Sequence, residues 1–409
     1  MSKANGAIEK KDTFLQYVSL KNYKSIKDVE IDFKPGLNII IGKNASGKTN
    51  FVNGLNLVLN YNNNKLLDTE STISAWFEED KVEVQKGKKQ HINKQSQKKV
   101  HSDFSADRPI LLKVNDEKVE VENNDDDFFD SFLYYFDPVL INYGIFYENS
   151  SPFIGLPTSF IIVNNGEISS GFVDVLASNN KTRFVNAYFN RFWEDIIISY
   201  WDDDSNSVIA QDWKKIICSF SDKWLKLIND LISLYTPIQA LRLNPDFNLI
   251  KQDEGQKQTV TNFYLEFLIE NNWLPFNLLS DGTKRLFYII SEILSWRTIN
   301  DPIAKVDLNV ILLEEPELGI HPHQLHQLMQ FIREQSREKQ IILTTHSPQV
   351  LDILGPDELD RVIICHSDPK NGTQLNHLTE KEINKAKRYM KQEAFLSDYW
   401  RFSDLEPAS

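Results

Sequence analysis

Eight residues, Gly42-Lys43-Asn44-Ala45-Ser46-Gly47-Lys48-Thr49, fit the spacing G-x-x-x-x-G-K-[ST], which builds a cradle for phosphate groups. The two glycines let the backbone curl so that its N–H groups and a following helix N-terminus face an anion. Lys48 would reach the β- and γ-phosphates of a nucleotide, and the Thr49 hydroxyl would bind Mg²⁺. Two further carboxylates, Glu314 and Glu315, stand side by side after an apolar run. One can hold Mg²⁺ through its water shell while the other orients or deprotonates an attacking water. His346, in Thr344-Thr345-His346-Ser347-Pro348, could hydrogen-bond the terminal phosphate and report its presence. Ser280, in Leu279-Ser280-Asp281-Gly282-Thr283-Lys284-Arg285, is a good N-cap for a helix whose start would favour an anion. Alone, each has an ordinary explanation: a solvated strand end, a structural histidine, a capped helix. Beside a phosphate loop they form a set.

The elements that must position them can be read from hydrophobic pattern. Leu37-Asn38-Ile39-Ile40-Ile41 reads as a buried strand entering the loop, and Phe51, Val52, Leu55, Val58 and Leu59 give the next stretch a helical face. Leu308–Leu313 and Gln340–Thr344 are short, near-continuous apolar runs of the kind found in buried parallel strands. Ligands of open α/β sheets sit at the carboxyl ends of the strands, where Gly42, Glu314, Glu315 and His346 all fall. Between the last two strands, residues 321–338 predict a helix with Leu325, Leu328, Met329 and Ile332 on one face and Pro322 at its first position. Residues 286–296 form another apolar helical run. Strands are expected at residues 81–84 and 109–114, with a turn at 115–118 leading into 119–121. An acidic break at 123–127 marks a boundary. Beyond it, helical periodicity at 185–200 and 213–234 in an aromatic-rich stretch suggests an inserted, mostly helical lobe. The expected layout is an N-terminal lobe over 1–122, the inserted lobe over 123–275, and a C-terminal lobe over 276–409.

Composition excludes several classes. The chain has 409 residues, enough for real cores, and two cysteines, Cys218 and Cys365, which rule out a disulfide framework and suit a reducing cytoplasm. The N-terminus lacks the apolar stretch of a signal peptide, and no uncharged apolar run is long enough to predict a membrane span. A net charge of −13 argues against a protein that coats nucleic acid over its whole surface. It leaves room for one local basic patch, such as Lys81, Lys86, Lys88, Lys89, Lys94, Lys98 and Lys99; a mobile, solvated hairpin explains the same lysines equally well.

In order, GKNASGKT, LSDGTKR, VILLEEPELGIHP and ILTTHSP resemble the ATP-binding-cassette ATPases, in the soluble branch that includes chromosome-maintenance and recombination ATPases. Within it the chain looks most like the ATPase domain of overcoming-lysogenisation-defect proteins and related bacterial phage-defence ATPases. The resemblance covers residues 13–60 and 275–366 well and the middle poorly. It implies an α/β ABC-type P-loop fold and a reaction converting ATP and water to ADP and phosphate, with Mg²⁺. It makes Gly42 to Thr49 the Walker A loop, Glu314 the Walker B acid, Glu315 the catalytic base and His346 the switch histidine. Ser280 and Gly282 become signature residues that contact the γ-phosphate of an ATP held by a second subunit, with Leu318–Pro322 crossing the dimer interface. ATP would then join two chains head to tail, and larger assemblies of such dimers are conceivable. Glu314 departs from the usual Asp, and the signature is not the transporter form. The glutamine of the loop linking the lobes has several candidates over 85–97.

Other clusters carry less. His321, His323 and His326 suggest a metal site, but GIHP is what the resemblance expects at the interface loop. Pro245-Asp246 with Asp253–Lys257 brushes a restriction-nuclease pattern, yet Gly255 stands where an acid is needed, so a polar loop is expected. The tail after His346 has no Asp-x-Asp pair, and nuclease activity in this chain is not expected. The expected role is a sensor and motor subunit of an anti-phage system acting on a separate effector, a nuclease. Its rivals are a DNA-repair ATPase, an ATP-bound scaffold with little turnover, and, least favoured, a transporter subunit.

Overall fold

The computed structural model describes residues 12–59, 71–77, 81–86, 110–114, 117–119, 139–141, 158–163, 168–169, 213–252, 257–295, 307–308, 310–391 and 395–402. The first elements are β1 (Asp12–Thr13), β2 (Leu15–Tyr23), β3 (Ile26–Asp32), β4 (Leu37–Ile41) and helix α1 (Lys48–Leu59). Strands β5 (Thr72–Phe77), β6 (Lys81–Lys86), β7 (Ile110–Val114), β8 (Glu117–Val119) and β9 (Val139–Ile141) follow. Next come β10 (Thr158–Val163), β11 (Ile168–Ser169), helix α2 (Trp213–Tyr235) and β12 (Ala240–Leu243). The chain continues through β13 (Asn248–Gln252), β14 (Lys257–Phe263), β15 (Leu265–Ile269), β16 (Asn272–Pro275) and helix α3 (Asp281–Ser295). It ends with β17 (Asp307–Leu308), β18 (Val310–Glu314), α4 (Pro322–Gln335), β19 (Gln340–Thr345), β20 (Val362–Asp368), β21 (Gly372–His377), α5 (Glu380–Met390) and α6 (Leu396–Phe402).

Two compact units share this chain. The first holds residues 1–140, 301–315 and 332–409; the second holds 141–300 and 316–331. The second unit thus takes α3 and the loop after Glu315, which sequence reasoning had grouped with the C-terminal lobe.

The first unit is organised by a sheet of order β8-β7-β6-β5-β2-β3-β21-β20-β4-β19-β18-β9. Its centre is parallel: β18 runs beside β19, β19 beside β4 and β4 beside β20. The strands there are apolar because both faces are covered, as all-parallel segments require. Ile39, Ile40, Ile41, Leu312 and Ile342 are buried, each contributing roughly 1.5–3 kcal/mol relative to an exposed side chain. Two polar side chains in this core tie neighbouring segments together. The buried Asn38 amide accepts from Lys34 N–H and donates to the Lys34 and Gly36 carbonyls, shaping the turn into β4. Gln340 ties the start of β19 to Leu15 through both its N–H and its carbonyl. Outside the parallel centre, β2, β3 and β5 to β8 pair antiparallel and form the expected β-rich arm. Strand β8 begins at Glu117, two residues earlier than the sequence pattern suggests.

Among its described residues the second unit combines helices α2 and α3 with antiparallel hairpins. Helix α2 lies where periodicity expects it, and Asn229 on it pairs with both the N–H and the carbonyl of Leu241 on β12. Between residues 240 and 275, expected within a mostly helical lobe, the described elements are strands: β13 and β14 extend a four-stranded sheet, and β12, β15 and β16 make a three-stranded one. The turn between β15 and β16 has positive φ at Glu270 (49°) and Asn271 (65°), a type I′ hairpin geometry that suits Asn. Hairpin pairing satisfies the backbone hydrogen bonds of this stretch, whose side chains carry no helical periodicity. The proposed helix at 185–200 lies outside the described residues.

Candidate functional site

Strand register assembles the site of the first unit. In the parallel ladder Glu314 lies opposite Thr344, and Thr345 opposite Ile41. The residues that follow these strand ends, Glu315, His346 and Gly42, therefore emerge along one carboxyl edge. Gly42 N–H donates to the Thr345 carbonyl at 3.3 Å and Glu315 N–H to the Thr344 carbonyl at 2.8 Å, so the edge is pinned by backbone bonds. Lys48, buried in the first turn of α1, donates to the carbonyls of Gly42 (2.8 Å) and Lys43 (3.0 Å). Its Nζ stands 4.0 Å from Glu315 Oε1, and His346 Nδ1 stands 3.5 Å from the same oxygen. One carboxylate oxygen is thereby shared by the loop lysine and the histidine. Glu315 adopts a left-handed φ of 43°, a conformation that costs a non-glycine residue about 1–2 kcal/mol. The fold sustains that strain at the carboxylate aimed at the loop.

The loop itself is tightly backed. Gly47 has φ 103°, and a side chain there would run into the Thr373 hydroxyl on β21. Ser46 donates to Cys365 Sγ and the thiol in turn donates to the Ser46 carbonyl, both at 3.5 Å. Burial pushes the Cys365 thiol up, against smaller opposing effects of Ser46 and Lys48, which keeps it neutral beneath the loop. On the outer side, Thr373 Oγ1 and Ser25 Oγ lie 2.7 Å apart, and Asn50 on α1 donates to Ser25 Oγ at 2.7 Å.

The signature segment is built within the second unit. Ser280 caps α3: its hydroxyl accepts from Thr283 N–H at 3.2 Å and meets Thr283 Oγ1 at 2.8 Å. Gly282 packs so closely on the next loop that a Cβ there would lie 2.8 Å from the Gly319 carbonyl oxygen. Phe287 on α3 stacks edge-on against Phe267 of β15 at 4.9 Å, anchoring the helix to the hairpin sheet. Helix α4 begins at Pro322 as expected. Its histidines have other tasks: His321 Nδ1 accepts from His323 N–H at 3.4 Å, and His326 pairs with Gln330 at 3.1 Å. Among the described residues no cluster of three or more His, Cys, Asp or Glu side chains is placed to hold a metal ion.

A family profile described as "AAA domain, putative AbiEii toxin, Type IV TA system" matches residues 37–352, most of the chain and every motif above. The chain belongs to this AAA family. Family ATPases of this kind use ATP, typically with Mg²⁺. The fold is that of the ABC-type head domains of Smc proteins. The Smc head of Pyrococcus furiosus, described with an extended coiled coil and bound to the C-terminal domain of ScpA, superposes with a TM-score of 0.53 at 15% identity, covering 93% of this chain and 99% of that one. The Smc head of Pyrococcus yayanosii gives a TM-score of 0.52 at 12% identity, covering 93% and 100%. Among curated proteins, the "DNA replication and repair protein RecF" of Streptococcus agalactiae serotype Ia is 45% identical over 42 residues, 10% of this chain and 11% of that one. The RecF of Streptococcus pneumoniae strain P1031 matches equally over 42 residues, 12% of its length. The match thus spans only about a tenth of these relatives.

The residues present fit a nucleotide. A buried lysine turned onto the carbonyls of its own loop has donors to redirect to phosphate, and a helix N-terminus lies behind it. They also fit Mg²⁺, which needs only a hydroxyl, one or two carboxylates and phosphate oxygens: Thr49 is exposed on the first turn of α1, Glu314 ends β18 and Glu315 follows it. Sequence reasoning did not place Ser25, Asn50, Cys365 or Thr373 at the loop. Of the lysine patch at 81–99, only the β6 residues lie within the described part, and Asp253–Gln256 falls outside it. No described helix is long and apolar enough to cross a membrane.

Proposed function

We propose that the chain hydrolyses ATP to ADP and phosphate, with Glu315 as the general base. The observation that carries this is the convergence of Lys48, His346 and the strained Glu315 on one carboxylate oxygen at the mouth of the phosphate loop. In this reading the backbone of Gly42 to Thr49 and Lys48 bind the phosphates, and Glu315 holds the attacking water and takes its proton. His346 keeps Glu315 in position and senses the terminal phosphate. Mg²⁺, held by Thr49 and Glu314, would neutralise charge on the phosphate oxygens. Ser280 and Gly282 act in trans, so that ATP joins two copies into a homodimer, with larger assemblies built from it, and hydrolysis releases them.

The cellular role proposed is that of an ATP-dependent sensor in bacterial anti-phage defence, akin to overcoming-lysogenisation-defect ATPases, which passes its state to a separate effector nuclease in the cytoplasm. A family description that names a toxin of a type IV toxin–antitoxin system supports a conflict role over housekeeping. The short RecF match favours a second reading, an ATPase acting directly on DNA through the lysines of the 81–99 region. ATP turnover with size-resolved mass, for wild type and Glu315→Gln, with and without DNA, separates these. Turnover that collapses in the variant while ATP-bound assemblies accumulate supports the switch, and stimulation by DNA ends supports the repair reading. Negligible turnover in both proteins would leave an ATP-bound scaffold. Purification with the neighbouring gene product, finding neither complex nor regulation, would count against the effector.

A further inference from the structure

Strand β19 ends in two adjacent threonines whose hydroxyls have different fates. Thr345 Oγ1 accepts from the Ser347 N–H at 2.9 Å and so shapes the turn after the strand. Thr344 points to the opposite face of the strand and is fully buried, yet its Oγ1 finds no hydrogen-bond partner among the described residues. A hydroxyl sealed from water without a partner is a net loss to the fold. Valine offers nearly the same volume and the same liking for strands, so neither packing nor propensity accounts for the hydroxyl. A buried polar group of this kind calls for a reason outside the fold.

Strand register shows what stands beside it. In the parallel ladder Thr344 is level with Glu314 on β18 and with Ile40 on β4. Level residues on parallel neighbours project from the same face of a sheet. That face is the one covered by α1: Ile40, Leu312 and Ile342 share a buried cluster with Phe51, Val52 and Leu55 of that helix. Leu312 and Ile342 lie two residues before Glu314 and Thr344, so the latter pair continues the same two rows toward the carboxyl edge. The orphan hydroxyl therefore sits beside Glu314, on the side of the sheet where α1 starts with Lys48 and Thr49. The Thr344 backbone serves the same edge, because its carbonyl accepts from the Glu315 N–H at 2.8 Å.

The two side chains are complementary in stiffness. Glu314 is half-buried and has one more torsion than an aspartate, so its own backbone holds its carboxylate less firmly. Branching at Cβ leaves the Thr344 hydroxyl few positions once the strand is fixed. A hydroxyl is also a donor, which is what a carboxylate accepts. We propose that Thr344 is the positioning residue for Glu314: with nucleotide and Mg²⁺ bound, its hydroxyl donates to the Glu314 carboxylate and holds that group toward the metal's water shell. This rests on the metal-site reading above. Because the hydroxyl has no bond in the fold to give up, its removal should be felt through the metal and not through stability.

The test uses the full chain and the hydrolysis-resistant ATP analogue AMP-PNP, with affinity measured by calorimetry in excess Mg²⁺ and again in excess EDTA. The ratio of the two affinities is the metal enhancement. The proteins are wild type, Thr344→Val, Thr344→Ser, Glu314→Gln and the double variant Glu314→Gln/Thr344→Val. Enhancement should fall about tenfold or more in Thr344→Val, with affinity in EDTA unchanged, and Thr344→Ser should retain it. Without ligand, Thr344→Val should melt at or above the wild-type temperature. In the Glu314→Gln background the same substitution should cost nothing further, because the carboxylate it serves is gone. Equal weakening in Mg²⁺ and EDTA would overturn the proposal, since it would show only a distorted loop. So would an unchanged enhancement in Thr344→Val, or a full additional loss in the double variant, which would show Thr344 acting without Glu314. A Thr344→Val chain that melts lower or fails to fold would overturn it too, because the hydroxyl would then belong to the fold. A wild type with no metal enhancement at all would overturn the metal-site reading and this proposal with it.

Discussion

The phosphate-loop edge of the first unit and the signature turn of the second are held together in opposite ways. At the loop, the groups that would meet a nucleotide are polarised toward each other: Lys48 and His346 both approach Glu315, and Glu315 is strained to stay there. Buried parallel strands fix their positions, so little reorganisation stands between this arrangement and one that stabilises developing charge. At the signature, Ser280 spends its hydroxyl on its own helix, bonded to Thr283. The first region is preorganised for an anion; the second is satisfied without one. In the proposed switch, chemistry and response to a partner would fall to regions with these different reserves.

The sharpest break of this contrast is Lys48→Ala. Removing the buried ammonium should lower ATP affinity on the order of 10²-fold or more, read by equilibrium binding. A smaller loss would mean that the loop amides alone carry binding. Next is Glu315→Gln, which keeps the shape but removes the base: turnover should fall by about 10²–10⁴ while ATP binding persists. Comparable turnover would remove Glu315 from the reaction. On the other side, Gly282→Ala must push against the Gly319 carbonyl, and the melting free energy should fall by about 1–3 kcal/mol. A silent substitution would show that the two loops separate readily.

The same contrast explains what could be read without coordinates. Ile39–Ile41, Leu308–Leu313 and Gln340–Thr344 announce themselves because strands covered on both faces must be continuously apolar, and the carboxyl-edge rule then brings Gly42, Glu315 and His346 together. The N-cap Ser280 and Pro322 at the start of α4 are equally local signals. Residues 257–275 mislead: Lys257–Phe263 is polar, and only Thr259, Val260 and Thr261 together with the Glu270-Asn271 turn hint at hairpins. Thr373 and Ser25 carry no local pattern at all, since their meeting at the loop is a product of topology, with β3 beside β21. The departure of Glu315 into left-handed φ is likewise invisible, because nothing in a Glu side chain favours it.

The smallest expected effect separates the two roles of Ser280. Ser280→Ala removes the cap and should cost about 1 kcal/mol of stability. Ser280→Asp should restore it, because Asp caps as well as Ser and its charge suits a helix N-terminus. If Ser280 is only a cap, the Asp variant behaves as wild type in every assay. If it also meets the terminal phosphate of a second copy's ATP, the carboxylate repels that phosphate, and ATP-driven assembly is lost in a protein that melts normally. Melting curves and light scattering with ATP on the same Glu315→Gln background decide the matter. A stable Asp variant that still assembles would confine the signature turn to a structural role.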